Sequence, residues 1–214
     1  MQEKPADDSI AFAEKVIGFV DVLGFSSLVE KAEAGEGIGL GGLVELLRSL
    51  GSPSDRERFV KRGPMVCPQS TYSRRDLDFR LTQISDCVVV SSEISPAGVI
   101  NLPNHCWTSV TRLLQDGLMC RGYVTIGKIF HTDNQFIGTG YQRAYDHAER
   151  NITAYRRDGD DSGTPFVEVD RPVSDYVSKC DPCVKEMFSR MVTSDGDLAG
   201  CGKSAKFDKE KLAA

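Results

Sequence analysis

Apolar residues in this chain fall into short runs separated by polar and glycine-rich turns, and the first run, residues 16–23, reads Val-Ile-Gly-Phe-Val-Asp-Val-Leu. Its length and continuous apolar character predict a strand central in a sheet, with one carboxylate, Asp21, set inside it. A carboxylate in such surroundings costs several kcal/mol, roughly, unless a cation, hydrogen bonds or a metal compensate it. The pattern recurs in residues 77–84 and 87–92, which predict two strands joined at Ser85-Asp86. That hairpin places a second carboxylate at the head of the run Cys87-Val88-Val89-Val90. If the strands 16–23 and 87–92 lie side by side, Asp21 and Asp86 come together.

Helices are predicted over 25–32, directly after Gly24, and over 43–50, with a Glu- and Gly-rich stretch at 34–42 between them. Residues 51–75 carry Gly, Pro, Ser and charges without sustained periodicity and predict an extended or mobile connection. A helix over 104–116 sets Trp107, Val110, Leu113 and Leu114 on one face, to pack on the sheet with the single Trp in the core. Residues 118–130 predict a strand in which Arg121, Gly122 and Gly127 interrupt the apolar residues, and the two glycines imply close approach of other backbone. A helix over 140–150, a strand over 166–169 and helices over 173–179 and 182–192 follow. The result is an α+β domain with a mostly antiparallel central sheet covered by helices. It occupies residues 1–192 as a single domain opening on a loose polar arm (1–13), with a polar tail over 193–214 whose last four residues have the look of a cloning remnant.

The 214 residues are 40% hydrophobic and 27% charged, with a net charge of −5. That is an ordinary globular balance, and its acidic sign argues against a nucleic-acid partner. The longest apolar runs are too short to span a membrane and no leader opens the chain, so the expected location is the cytoplasm. Of seven cysteines, Cys87, Cys106 and Cys120 sit in apolar company and read as reduced core thiols. Cys180-Asp181-Pro182-Cys183 lacks a second CxxC or a His to complete a zinc set. Gly202-Lys203-Ser204 lacks the Gly at 197 that a phosphate loop requires, since Asp197 stands there. His131 and His147 have no ligand spacing.

The residues Phe19-Val20-Asp21-Val22-Leu23-Gly24-Phe25-Ser26 resemble the first-strand motif of class III adenylate/guanylate cyclase domains, F-x-D-(I/V)-x-G-F-(S/T). Ser85-Asp86 stands where that family carries its second metal-binding Asp. Arg121-Gly122-Tyr123-Val124-Thr125-Ile126-Gly127 is similar to the family's R-x-G-x-x-x-G strand, except that the first Gly directly follows the Arg. Gly138 opens a counterpart of the G-x-x-V-N-x-A-x-R helix. Order and spacing agree over residues 16–150. Within the superfamily, the D-V-L-G-F form, S-D in place of G-D, and R-G-x-x-x-x-G look most like the Pycsar pyrimidine cyclases of bacterial anti-phage defence.

That resemblance implies conversion of UTP to 3′,5′-cyclic UMP, or of CTP to cyclic CMP, by a homodimer with two sites at its interface and a separate effector that reads the cyclic nucleotide. It implies two Mn²⁺ or Mg²⁺ ions per site on Asp21, Asp86 and the Val22 carbonyl, with the amides of residues 23–26, including Phe25 and Ser26, on the triphosphate. By position, Arg80 and Gln135 fall where purine cyclases select the base. The transition-state Asn and Arg of the family fall at Gln142 and Asp146, so that pair is absent, and the alternative is a catalytically silent nucleotide-binding sensor. Each residue also has a plainer reading: Asp21 as a helix cap, Asp86 as a turn residue, Arg80 as an exposed residue on the far face of its strand. Arg121 either contacts the triphosphate or neutralises the two Asp in the absence of metal.

Overall fold

The computed structural model describes residues 10–65, 76–151 and 167–193. Its central strand, β1 (Ala13–Val22), is buried at Val16, Ile17, Phe19, Val20 and Val22 because both of its faces are covered. α1 (Phe25–Glu33), α2 (Leu40–Arg48) and α3 (Pro53–Arg62) follow. β2 (Phe79–Ile84) and β3 (Cys87–Glu93) form the predicted hairpin through Ser85 and Asp86. After α4 (Pro96–Gln115) come β4 (Cys120–His131), β5 (Phe136–Ile137), α5 (Thr139–Asp146) and a π-helical turn, His147–Asn151. β6 (Val167–Val169), α6 (Arg171–Val177) and α7 (Pro182–Ser189) complete the described chain. The sheet runs β2-β3-β1-β4-β5, all antiparallel, and β6 adds to β4 in parallel. The fold is thus α+β with a mostly antiparallel sheet, as the patterning predicts.

Side chains alternate across this sheet and sort into two cores. Val16, Val20, Val22, Val88 and Val90 pack with α4, α6 and α7 through Leu102, Cys106, Val173 and Val184. On the opposite face Ile17, Phe19, Val89 and Tyr123 pack with Ala144 of α5 and Ala148 of the π-turn. The close approach expected of the strand glycines is present on both sides. A Cβ on Gly122 would strike the Phe19 carbonyl, and one on Gly127 would lie 2.7 Å from the Gly140 Cα, so α5 rests directly on β4.

Two expectations are corrected. The stretch 51–75 is not an extended connection throughout: Pro53–Arg62 is helical, started by a capping box of Ser52 and Asp55 with Pro at the first turn. Phe59 of this helix packs on Phe79 with ring centroids 4.8 Å apart; residues 66–75 lie outside the described residues. The helix expected over 104–116 begins at Pro96 and carries Pro103 within it, and its core face is only in part the predicted one, since Leu113 is buried and Val110 packs against the core. Trp107 and Leu114 are exposed, whereas Val99, Leu102, Cys106 and Leu113 are buried. The misleading signal is polar: His105 and Ser109 lie on the buried side, where both bond the Leu50 carbonyl beyond the end of α2, at 3.0 and 3.1 Å. Buried polar groups with a good partner are tolerated, so hydropathy alone mis-phases this helix.

Cys87, Cys106 and Cys120 are free thiols, as expected. Cys180 is also free, whereas Cys183 is disulfide-bonded, so the CxxC is not a dithiol pair. No helix among the described residues is long and apolar enough to cross a membrane.

The β4–β5 hairpin folds back over β2 and β3, and a polar chain fastens it: Ser91 Oγ lies 2.7 Å from His131 Nδ1, and Thr82 Oγ1 lies 3.1 Å from His131 Nε2. Burial, helped by Lys15 and Arg80, holds His131 down to about 4 from an ordinary 6.5. The folded value lies below the unfolded one, so the stabilisation is complete above pH 6.5 and is lost as the pH falls from there through about 4. The loss amounts to about 3 kcal/mol. Urea denaturation between pH 7 and pH 4.5 should show stability falling across this window, with a shallower slope in His131→Gln.

Candidate active site

Asp21 lies opposite Cys87 of β3 on one flank and opposite Arg121 of β4 on the other. The register brings the Ser85-Asp86 turn alongside the end of β1, where the Val22 N–H donates to the Asp86 carbonyl at 3.1 Å. The two predicted carboxylates therefore meet at one corner of the sheet. Arg121 Nε donates to the Asp21 carboxylate at 2.9 Å, and the same guanidinium holds Glu149 from the π-turn. The side chains of Asp21 and Arg121 are 13% and 15% exposed, so this ion pair is largely withdrawn from solvent.

Charge at this corner is not balanced by the one arginine. Burial pushes the Asp21 carboxyl above its ordinary value, against the pull of Arg121, and Asp86 and Glu149 add to the rise. The Cys87 thiol is pushed up to about 11 by burial and then by Asp21, Asp86 and Glu149, so all three carboxylates act on one neighbourhood. Asp86 forms no ion pair among the described residues. Hard carboxylate oxygens with surplus negative charge fit Mg²⁺ or Mn²⁺. Among the described residues no group of three or more His, Cys, Asp or Glu gathers on a single metal position.

α1 begins at the same corner. Gly24, at φ 74°, turns the chain out of β1, and no side chain caps the helix, which leaves its first amides open to an anion. One expectation changes: the Leu23 N–H is already bonded to the Met119 carbonyl at 2.8 Å, so the open amides start at Gly24. Phe25 is a core residue whose side chain is buried, and Ser26 is exposed.

Arg80 does not lie on a far face. The register Arg80–Ser91–Ile17 and Ile84–Cys87–Asp21 sets it on the same face as Asp21. It is four residues along and two strands across, roughly 16 Å away by strand geometry. There Arg80 pairs with Asp78 at 3.3 Å and with Asp133 at 3.0 Å. Gln135 closes the turn that carries Asp133 through the bond from the Thr132 N–H to its carbonyl, 2.8 Å, and its side chain is exposed. Arg80 and the Gln135 turn thus share one end of the face, and the carboxylates share the other. Gln142 is exposed on α5 and joins neither group.

No family model matches the chain, and no curated protein matches it. Solved structures do. A bacterial light-regulated adenylyl cyclase is similar over 81% of this chain and 47% of its own, at a TM-score of 0.46 and 15% identity. A second structure of such a cyclase is similar over 78% of this chain and 45% of its own (TM-score 0.44, 16% identity). A class III adenylyl cyclase-like ATP-binding protein from Pseudomonas aeruginosa gives 78%, 35%, 0.44 and 15%. The chain spans less than half the length of each. At such distance these likenesses carry no functional weight, which rests instead on the geometry of the corner.

Glu149 is the site residue that the sequence pattern does not reveal. The expected α-helix over 140–150 ends at Asp146, and residues 147–151 wind as a π-turn instead. Wider winding lets successive residues face the sheet together. His147 stacks on Tyr123 with centroids 4.4 Å apart, Ala148 is buried, and Glu149 reaches Arg121. The available clue was Arg121 itself, a cation inside an apolar strand with room for more than one carboxylate.

Proposed function

We propose that this protein is a class III-like pyrimidine nucleotide cyclase that converts UTP to 3′,5′-cyclic UMP and pyrophosphate. The carrying observation is the meeting of Asp21 and Asp86 beside the uncapped start of α1, which sets a carboxylate pair next to amides suited to phosphate. The 3′-hydroxyl oxygen attacks the α-phosphorus in line; the bond to the β-phosphate oxygen breaks, pyrophosphate leaves with the electron pair, and the hydroxyl proton passes to solvent. Asp21, Asp86 and the Val22 carbonyl would hold two Mn²⁺ or Mg²⁺ ions, which supply charge neutralisation and a more acidic 3′-hydroxyl. The amides from Gly24 to Ser26 orient the triphosphate. Gln142 serves as a hydrogen-bond donor in place of the family's Asn, and Arg121 balances charge at the carboxylates.

Since the base-reading end and the carboxylate end are far apart on one chain, a homodimer in which each site draws one end from each copy accounts for both. The product acts through a separate effector in the cytoplasm, in anti-phage defence, as the resemblance to Pycsar cyclases implies. Arg80 offers only donors, which suits the two carbonyls of uracil better than the exocyclic amine of cytosine. In competition assays the wild type should prefer UTP over CTP, and Arg80→Ala should erase most of that preference. A wild type that prefers CTP assigns cyclic CMP instead, and no pyrophosphate release from any ribonucleoside triphosphate with Mn²⁺ leaves the silent nucleotide-binding sensor.

A further inference from the structure

Arg121 stands between two carboxylates that belong to different elements. Asp21 comes from the adjacent strand in direct register, and Glu149 comes from a π-turn that a regular α-helix would not have produced. The guanidinium uses Nε for Asp21 and a terminal nitrogen for Glu149, so the two bonds are geometrically independent and one can be released while the other holds. Glu149 is held by this guanidinium, whereas Asp86 forms no ion pair among the described residues. A cation bonded to Asp21 also occupies oxygen that a divalent ion needs. Arg121 is therefore a competitor of that ion and has a second anchor ready.

Building on the metal sites of the proposed cyclase, we propose that Arg121 is the resident counter-ion of the metal-free corner and that Glu149 is a positioning residue, which retains the guanidinium when a divalent cation takes Asp21. Among the described residues, without Glu149 the guanidinium pairs only with Asp21, and the divalent ion must displace it into a largely buried corner. With Glu149 the exchange leaves every charge paired.

Mn²⁺ binding to the nucleotide-free protein, followed by electron paramagnetic resonance of free Mn²⁺ and by the metal-induced melting shift, tests this in a four-protein cycle. Glu149→Gln should weaken Mn²⁺ binding about tenfold, and Arg121→Gln should strengthen it. In Arg121→Gln, adding Glu149→Gln should change binding less than twofold, because no guanidinium remains to be held. An equal loss from Glu149→Gln in both backgrounds would make Glu149 a direct contributor to the ion and overturn the proposal, as would an Arg121→Gln that binds no better than wild type. Wild type and Asp21→Asn that both fail to bind Mn²⁺ would sink this proposal together with the metal-dependent cyclase, a pattern distinct from the other two. Should Arg121→Gln not fold, Arg121→Lys serves: its ammonium cannot bridge both carboxylates through separate nitrogens, so the effect of Glu149→Gln should shrink in that background and is refuted if it stays tenfold.

Discussion

Asp21→Ala and Asp86→Ala should each lower pyrophosphate release from UTP by about a thousandfold or more, the equivalent of about 4 kcal/mol of transition-state stabilisation. The two variants should differ in stability. Asp86 has no ion-pair partner among the described residues, so its removal leaves the melting temperature of the metal-free protein near that of wild type. Asp21 is the in-register partner of a largely buried arginine, and its removal leaves Arg121 with Glu149 alone among the described residues. Asp21→Ala should accordingly melt lower yet still cooperatively. Mn²⁺ should raise the melting temperature of wild type and of neither variant. Turnover near the wild-type level in either folded variant, at saturating Mn²⁺, would refute the two-carboxylate site.

Mixing two inactive proteins should restore activity. Asp86→Ala spoils the carboxylate end and Arg80→Glu spoils the base end, and strand geometry sets these ends roughly 16 Å apart on one chain. In a composite dimer, an Asp86→Ala copy paired with an Arg80→Glu copy has one site with both defects and one with neither. Random assortment of equal amounts makes half of the dimers mixed, each with one working site of two, so activity on UTP should recover to about a quarter of wild type. Each variant alone should stay inactive at every concentration. No recovery after mixing and refolding together, or full activity in a strictly monomeric wild type, would place both ends in one chain and refute the shared site.

How much of the corner could be read in advance differs residue by residue. Asp21 and Asp86 were legible because a carboxylate in a β-branched run is a local contradiction that needs an answer from elsewhere in the fold. The hairpin at Ser85-Asp86 and the close packing at Gly122 and Gly127 were legible for the same reason, since turns and steric gaps are demands made by neighbouring residues. Position relative to Asp86 singles out Arg80, whereas its alternation with Leu77, Phe79 and Leu81 suggests the far face, because a face acquires meaning only when register across β3 and β1 is set.

The sequence by itself determined the α+β class, the strand-turn-helix at 16–32 and the hairpin at Ser85-Asp86, all of which follow from periodicity and turn chemistry over a few residues, whereas the pairing of the two acidic strands is set by the sheet. Tertiary structure alone decided that Trp107 and Leu114 of α4 face outward while His105 and Ser109 join its buried face, where the Leu50 carbonyl, more than fifty residues away, satisfies them. It also engaged the Leu23 amide with Met119 and wound residues 147–151 as a π-turn, which carries Glu149 to Arg121. The physical reason is common to all three. Each outcome is set by a hydrogen bond or ion pair between groups distant in the chain, and such a bond outweighs the small local preferences that hydropathy and helix periodicity record.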